Sequence, residues 1–411
     1  MKKPELLAPA GDMEKLKIAV AYGADAVYLG GRHFGLRAGA GNFGDEELRT
    51  GVEYAHRHGV KVYVTINVFA HNQDLSTLPA FLDRIGQAGA EGVIVSDPGI
   101  LTMCRKLAPE LPIHLSTQAN TTNSAAAQFW AAQGVKRIIL ARELSLEEIR
   151  EIRRLVTEVE LEIFVHGAMC MSYSGRCLLS NYFTGRDANR GDCAQSCRWK
   201  YALVEEKRPG LFLPVEEDER GTYILSAGDL CLLAHIPELA ESGIDSFKIE
   251  GRMKSVHYVA VVVKGYREAI DRYLTPGAAD WEPALGMEEM AKVSHRDYTT
   301  GFLFGPPQPT ELPKPEGIYT RTYSFIGLVR EYDPGTGLAL VEQRNNFSLG
   351  DLIEMVPPVG QPYQLTVSRL YDQNGVAIAN APHPQQLVMI PLEREVAPYT
   401  LLRKVKGEGS R

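Results

Sequence analysis

The sequence predicts an α/β protein: a (β/α)8 TIM-like barrel carrying a cysteine-rich insertion, followed by a small C-terminal all-β barrel domain. Three observations predict it. A unit in which a helical stretch ends in Gly and runs into a β-branched strand recurs along residues 1–275. Five of the six cysteines fall between Cys170 and Cys231, inside the one long gap of that rhythm. From residue 317 onward, short alternating strands with turn sequences replace the helical periodicity.

The recurring unit reads Gly23-Ala-Asp-Ala-Val-Tyr-Leu-Gly, Gly59-Val-Lys-Val-Tyr-Val-Thr-Ile, Gly89-Ala-Glu-Gly-Val-Ile-Val-Ser, Gly134-Val-Lys-Arg-Ile-Ile-Leu-Ala and Gly243-Ile-Asp-Ser-Phe-Lys-Ile-Glu. Each leading Gly stands where a helix C-cap needs left-handed backbone. The strand behind it is nearly continuous in Val, Ile and Leu, as when both sheet faces are buried. The stretches in front carry helical spacing, as in Met13, Leu16 and Val20. Three more strands fit without the glycine: Leu6 to Ala8, Ile113 to Ser116 and Leu161 to Val165. Eight strands separated by helical patterns favour the closed barrel. A doubly wound open sheet is the alternative, and the GxGxxG it would want after the first strand is missing.

In such a barrel the chemistry sits at the C-terminal ends of the strands. Those ends are Asp12, Arg32, Asn67, Asp97, Thr117-Gln118-Ala119-Asn120, Arg142-Glu143, His166-Gly167 and Glu250-Gly251-Arg252. A structural rim would also be polar, so no one of them is diagnostic. The convergence of His, Gln, Asn, Glu and Arg points to a site.

Between the seventh and eighth strands the chain runs for about 80 residues, against roughly 20–30 elsewhere, and long insertions on a catalytic face are more often functional than not. The insertion, residues 168–242, is expected to hold a small hairpin of Tyr201-Ala-Leu-Val-Glu and Thr222-Tyr-Ile-Leu around Glu216 to Arg220. After the last barrel helix, Pro276, Pro283, Pro306, Pro307, Pro309, Pro313 and Pro315 mark residues 276–316 as a connector. Residues 317–405 then read as the β-barrel domain. Its strands are Tyr323 to Val329, Leu338 to Glu342 and Leu352 to Val356, with turns at Asp333-Pro-Gly-Thr-Gly and Gln373-Asn-Gly.

Composition narrows the function. At 411 residues, 45% hydrophobic and 23% charged, the chain can bury a core without disulfides or metal staples. A net charge of −7 removes the simplest argument for nucleic-acid binding, so any such contact must use a local patch. The candidate patches are Arg186, Arg190, Arg198 and Lys200 on the insertion, and Arg252 and Lys254 at the last strand. The N-terminal residues lack an apolar core, and no run approaches the ~18 apolar residues of a membrane span. The expectation is a cytoplasmic protein with reduced thiols and no membrane partner.

The densest chemistry is His166-Gly-Ala-Met-Cys170-Met-Ser-Tyr-Ser-Gly-Arg-Cys177, continuing through Cys193-Ala-Gln-Ser-Cys197 to Cys231. Four thiolates suit zinc or an Fe–S cluster. The spacing matches neither a zinc ribbon nor a ferredoxin run, but wide spacing fits a cluster held between a long loop and a barrel mouth. Simple packing, a zinc site and thiol redox chemistry are the competing readings. Cys104, in a helical pattern, is the cysteine expected to be a small buried hydrophobe. Peptidase constellations are absent: there is no HExxH and no GxSxG. His166 paired with a cysteine for nucleophilic chemistry is a further alternative.

The opening Glu5-Leu-Leu-Ala-Pro-Ala-Gly, the Gly23-Ala-Asp-Ala-Val-Tyr-Leu-Gly unit, Ser116-Thr-Gln-Ala-Asn, His166-Gly-Ala-Met-Cys and Lys248-Ile-Glu-Gly-Arg-Met-Lys-Ser resemble the peptidase U32 family over nearly the whole chain. The C-terminal β-barrel is similar to the domain of the longer members that act on tRNA. The resemblance implies participation in 5-hydroxylation of tRNA wobble uridine, a [4Fe–4S] cluster, and prephenate as a possible co-substrate. It implies Cys170, Cys177, Cys193 and Cys231 as cluster ligands, with Cys197 as the spare. Within that reading His166 and Glu250 are the acid/base candidates. Arg142 and Arg252 are carboxylate clamps, since a guanidinium matches a carboxylate bidentately. Arg252 is counted with the catalytic residues, and Asn67, Gln118, Asn120 and Arg142 with substrate binding. tRNA, a small carboxylate substrate and a partner subunit or paralogue are the expected partners. A collagenase-like peptidase and a non-catalytic Fe–S or RNA-binding accessory are the rival functions.

Overall fold

The computed structural model describes residues 2–32, 34–35, 41–170, 172–173, 176–199, 202–204, 212–214, 228–275, 282–305 and 320–406. Eight parallel strands close on themselves: β1 (Glu5–Pro9), β2 (Ala26–Gly30), β3 (Lys61–Ile66), β4 (Gly92–Val95), β5 (Ile113–Leu115), β6 (Arg137–Ile139), β7 (Glu160–Ala168) and β8 (Ser246–Ile249). Closure is made by β8, which pairs Ser246 with Glu5 of β1 and with Glu162 of β7. No barrel strand is left with an unpaired edge, so the open-sheet alternative is excluded. The five repeat glycines, Gly23, Gly59, Gly89, Gly134 and Gly243, all have positive φ, which is why each helix stops and the chain turns inward there.

Two of the polar strand ends have a local purpose. Asp12 accepts from the backbone N–H of Lys15 at 2.9 Å, and Asp97 accepts from that of Ile100 at 2.9 Å. Both are N-caps, which satisfy donors that a helix start leaves unpaired.

The barrel floor is ionic. The Arg137 guanidinium, 3% exposed, lies 2.6 Å from Glu5, 2.6 Å from Glu160 and 3.2 Å from Glu162. Lys248 meets Glu162 at 2.9 Å, and the Tyr63 hydroxyl donates to Glu5 at 3.0 Å. Burial pushes the Glu5 carboxyl up, but the Arg137 and Lys61 charges outweigh it and hold Glu5 below the usual glutamate range.

Past β7 the sheet gains strands that no barrel requires. Strand Asp229–Cys231 runs antiparallel to the end of β7, setting Cys231 opposite His166, and strand Tyr298–Thr299 pairs parallel to it. Within the insertion, Ala202–Val204 pairs with Phe212–Pro214. The expected partner, Thr222 to Leu225, lies outside the described residues, as do Glu216 to Arg220, Lys200 and Tyr201. Residues 282–305, read from their prolines as connector, instead form helix Pro283–Met290 and strand Tyr298–Thr299. Met290 and Val293 are fully buried, so this segment is anchored in the barrel core.

The C-terminal domain is a seven-stranded antiparallel half-barrel built on the hairpin Tyr323–Asp333 and Leu338–Gln343. It has its own core, including Ile326, Val341, Phe347 and Leu402. Polar contacts hold it to the barrel. The Tyr22 hydroxyl reaches the Val356 carbonyl at 2.7 Å, and Lys264 donates to the carbonyls of Pro357 and Gly360. Arg403, fully buried, spans to Glu289 and Glu354, both at 2.7 Å.

Candidate active site at the barrel mouth

The strand ends build the site. Lys248 on β8 with Glu250 and Arg252 just beyond it, Thr65 on β3 with Asn67 just beyond it, and Ser116 and Gln118 after β5 come together at the C-terminal ends of three strands. All of these line one cavity of about 410 Å³ inside the C-terminal end of the barrel. Of the expected site residues it brings together Asn67, Gln118, Glu250 and Arg252. Lys248, Tyr28 and Thr65 also line it and were not singled out from sequence. The two-residue spacing back from Glu250 would have found Lys248.

Arg252 is 3% exposed; it donates to the Thr65 hydroxyl at 3.2 Å and to the Asn42 carboxamide. Tyr28 lies 2.9 Å from the Ile249 carbonyl and 3.3 Å from the Glu250 carboxylate. The Tyr258 hydroxyl donates to the Glu250 carbonyl at 2.7 Å. A register shift between β7 and β8 at Lys248/Ile249 sets Glu250 against His166, whose carbonyl accepts from the Glu250 N–H at 2.8 Å. Gly167 is required there. Its φ is +115°, and a Cβ would stand 2.5 Å from the Glu250 carbonyl oxygen.

Other expected residues are placed differently. Asn120 sits in left-handed backbone at the rim, its carboxamide between the Thr117 carbonyl and the Arg176 guanidinium. Arg142 donates to the Ala168 carbonyl at 2.8 Å and covers the Phe164 ring, so it braces the end of β7 rather than lining the cavity. His166 is 1% exposed and enclosed by the rings of Tyr258, Tyr266 and Tyr298. Burial drives its pKa down to about 3, against a smaller raising effect of Asp229. The imidazole is therefore neutral at physiological pH.

Beside the cavity opens a cleft of about 2270 Å³, lined by Cys170, Cys177, Cys193 and Cys197, and by Glu250, which it shares with the cavity. All six cysteines are free thiols. Cys104 is buried in helix Pro98–Leu107, and burial pushes its thiol up to about 12, in keeping with an inert packing role. The expectation that Cys170, Cys177, Cys193 and Cys231 enclose a common centre is not met. Among the described residues, no three of His, Cys, Asp and Glu stand close enough to hold a metal ion. Cys231 stands furthest from the expectation. It lies on a strand packed against β7, with its sulfur 3.6 Å from that of Met287, while the others line the open cleft. The donor chemistry nonetheless fits a thiolate-bound cluster. The Gln195 N–H donates to the Cys193 sulfur at 3.3 Å. N–H donors of this kind are what tune cluster sulfurs. Burial pushes the Cys231 thiol up to about 11 although the Leu233 N–H and the Tyr266 hydroxyl pull against it, which disfavours its thiolate as burial does that of Cys104.

A closed parallel barrel with a hydrogen-bonding cavity at the strand ends, opening beside a thiol-lined cleft, defines a TIM-barrel enzyme. Residues 11–312 match the model of peptidase family U32, and residues 321–403 match that of the peptidase family U32 C-terminal domain; the chain belongs to peptidase family U32. It is 46% identical over 406 residues to the tRNA hydroxylation protein P1 of Bacillus subtilis, covering 98% of this chain and 96% of that protein. To the tRNA hydroxylation protein P of Escherichia coli it is 38% identical over 453 residues, covering 100% of this chain and 99% of the other. The solved structure of the U32 peptidase Mk0906 aligns with 60% of this chain and 93% of its own at 16% identity and a TM-score of 0.41.

Proposed function

We propose that the protein is a tRNA-modifying enzyme that takes part in hydroxylation of a tRNA base, at C5 of wobble uridine. The observation that carries this is the 46% identity to a tRNA hydroxylation protein across 98% of the chain. The site is consistent with it. Asn67, Ser116 and Gln118 offer amide and hydroxyl groups suited to a base edge or a small acid, and Arg252 offers the cation for a carboxylate such as that of a prephenate-type donor. Glu250, on the wall common to cavity and cleft, is the proton-transfer residue. His166, neutral and enclosed by tyrosines, positions the β7 end rather than cycling a proton.

A [4Fe–4S] cluster is part of this reading. Cys170, Cys177 and Cys193 would hold it, with Cys231 as the fourth ligand and Cys197, which shares the cleft with the first three, as its competitor. Bound there, the cluster would supply one-electron chemistry or Lewis acidity toward a substrate oxygen. Removing any true ligand abolishes the visible cluster absorption of anaerobically purified protein; Cys197→Ala and Cys231→Ala, measured side by side, name the fourth.

The test of the function is the nucleoside content of tRNA from a deletion strain, read by mass spectrometry, with and without the gene restored. Loss and recovery of the hydroxylated uridine is the expected result. An unchanged profile, or gelatin cleavage by the pure protein that dies with Cys170→Ala, overturns it.

A further inference from the structure

The described part of the insertion exposes an unusual set of rings. Tyr182 is 83% exposed, Tyr173 59%, and Phe183 and Trp199 each 47%. Elsewhere among the described residues only Phe129 and Phe304 are aromatic and comparably exposed. Four large rings left in water within residues 173–199 forgo burial that a purely structural loop would have used. Tyr182 and Phe183 stand edge to face at 5.5 Å on helix Leu179–Thr184, and Leu179 at its start lines the cysteine cleft.

The charge in the cleft that this helix adjoins is the reverse of the chain's. Among the described residues lining the cleft, Arg176, Arg186, Lys254 and Arg321 face two carboxylates, Asp192 and Glu250, a surplus of two positive charges in a chain of net charge −7. Arg176 also donates to the Gln118 carbonyl at 3.2 Å, tying this rim to the wall of the barrel cavity.

We infer that this rim is a stacking platform for the unpaired bases of an RNA loop, delivering one nucleotide to the barrel mouth. Ring faces next to cations are what single-stranded nucleic acid binds. A duplex buries its base faces against neighbouring bases and offers none to the protein. A target base in a loop needs little unstacking before it is taken into a pocket. The inference rests on the tRNA-modifying reading and assigns the surface by which that substrate is held.

The experiment measures binding of the full chain, purified anaerobically, to a fluorescein-labelled RNA hairpin with an unpaired loop and to a fully paired duplex of equal length. The hairpin is expected to bind at least about 10-fold more tightly. Tyr182→Ala and Trp199→Ala are each expected to weaken hairpin binding about 10-fold and leave duplex binding unchanged, while Tyr182→Phe retains it. Because these side chains are exposed, unchanged thermal melting is expected and checks the fold. Equal affinity for hairpin and duplex overturns the inference, as do alanine variants that bind the hairpin like the wild type. The nucleoside profile of the deletion strain separates the two readings. If the hydroxylated nucleoside is lost on deletion but the variants bind normally, the platform falls and the function stands. If the profile is unchanged but hairpin selectivity depends on Tyr182 and Trp199, the platform stands and the function falls.

Discussion

The two ends of the barrel use the same strands and the same kinds of side chain to opposite purpose. At the floor, Arg137, Glu5, Glu162 and Lys248 neutralise one another within 3.2 Å. At the mouth, Glu250 and Arg252 line a 410 Å³ cavity, with Arg252 bonded to Thr65 and Asn42 and Glu250 beside Tyr28, and a thiol-lined cleft opens alongside. Polar groups gathered around a cavity at the C-terminal strand ends mark the end that binds. Lys248 belongs to both ends, pairing with Glu162 while lining the cavity.

Breaking the floor carries the largest expected effect on stability. Arg137→Ala leaves Glu5 with Lys61 and Glu162 with Lys248 as their remaining cations and removes the buried charge that joins them, and a loss of about 3–5 kcal/mol is expected in denaturant titration. Breaking the mouth should spare the fold. Glu250→Gln is expected to lower formation of the hydroxylated nucleoside by about 100-fold or more while the melting temperature stays within a few degrees. An equal stability loss in both variants would erase the distinction between the ends.

Gly167→Ala sharpens the comparison, since it acts on the mouth through backbone alone. The new methyl meets the Glu250 carbonyl at a φ of +115°. About a 10-fold loss of activity with a destabilisation of about 1–3 kcal/mol is expected.

Acid tests the floor by charge. Glu5 has a folded pKa below its unfolded value, so its stabilisation is present above the ordinary glutamate pKa of about 4.3 and is lost as pH falls through the lower folded value. The wild type should therefore hold its stability from pH 7 to 5 and lose it below about 4. In Arg137→Ala the largest cause that lowers Glu5 is gone and only Lys61 remains, so this acid-side loss should be smaller. Urea midpoints between pH 7 and 4 in the two proteins read the difference. The smallest effect is expected away from both ends: Cys104→Ala should cost on the order of 1 kcal/mol and leave any cluster absorption unchanged.

The site was legible in the sequence wherever strand geometry alone decides direction. Glu250 and Arg252 follow directly on the last barrel strand, and Asn67 and Gln118 follow hydrophobic strands, so their convergence follows from the barrel. Arg142 and Cys231 were not legible in the same way. Arg142 turns back to the Ala168 carbonyl, and Cys231 packs on Met287 because the chain adds a strand against β7 that no repeat announces. The segment 282–305 misled for a related reason: prolines at 283 and 306 bracket an anchored helix and strand, and composition records the brackets but not what lies between.

By itself, then, the sequence determined the eight-stranded barrel, the half-barrel behind it, the insertion between β7 and β8, and the strand ends where polar groups gather. These follow from local rules: left-handed glycines that stop helices, apolar runs that must be buried on both faces, and a two-residue period that sorts inward from outward. The tertiary structure alone decided which charges pair at the floor and which line the cavity, that His166 lies neutral among three tyrosines, and that aromatic rings of the insertion stand exposed in an acidic chain whose cleft carries a surplus of cations. Those properties depend on distances between segments far apart in sequence and on how much water each pair retains, and no local pattern of residues encodes either.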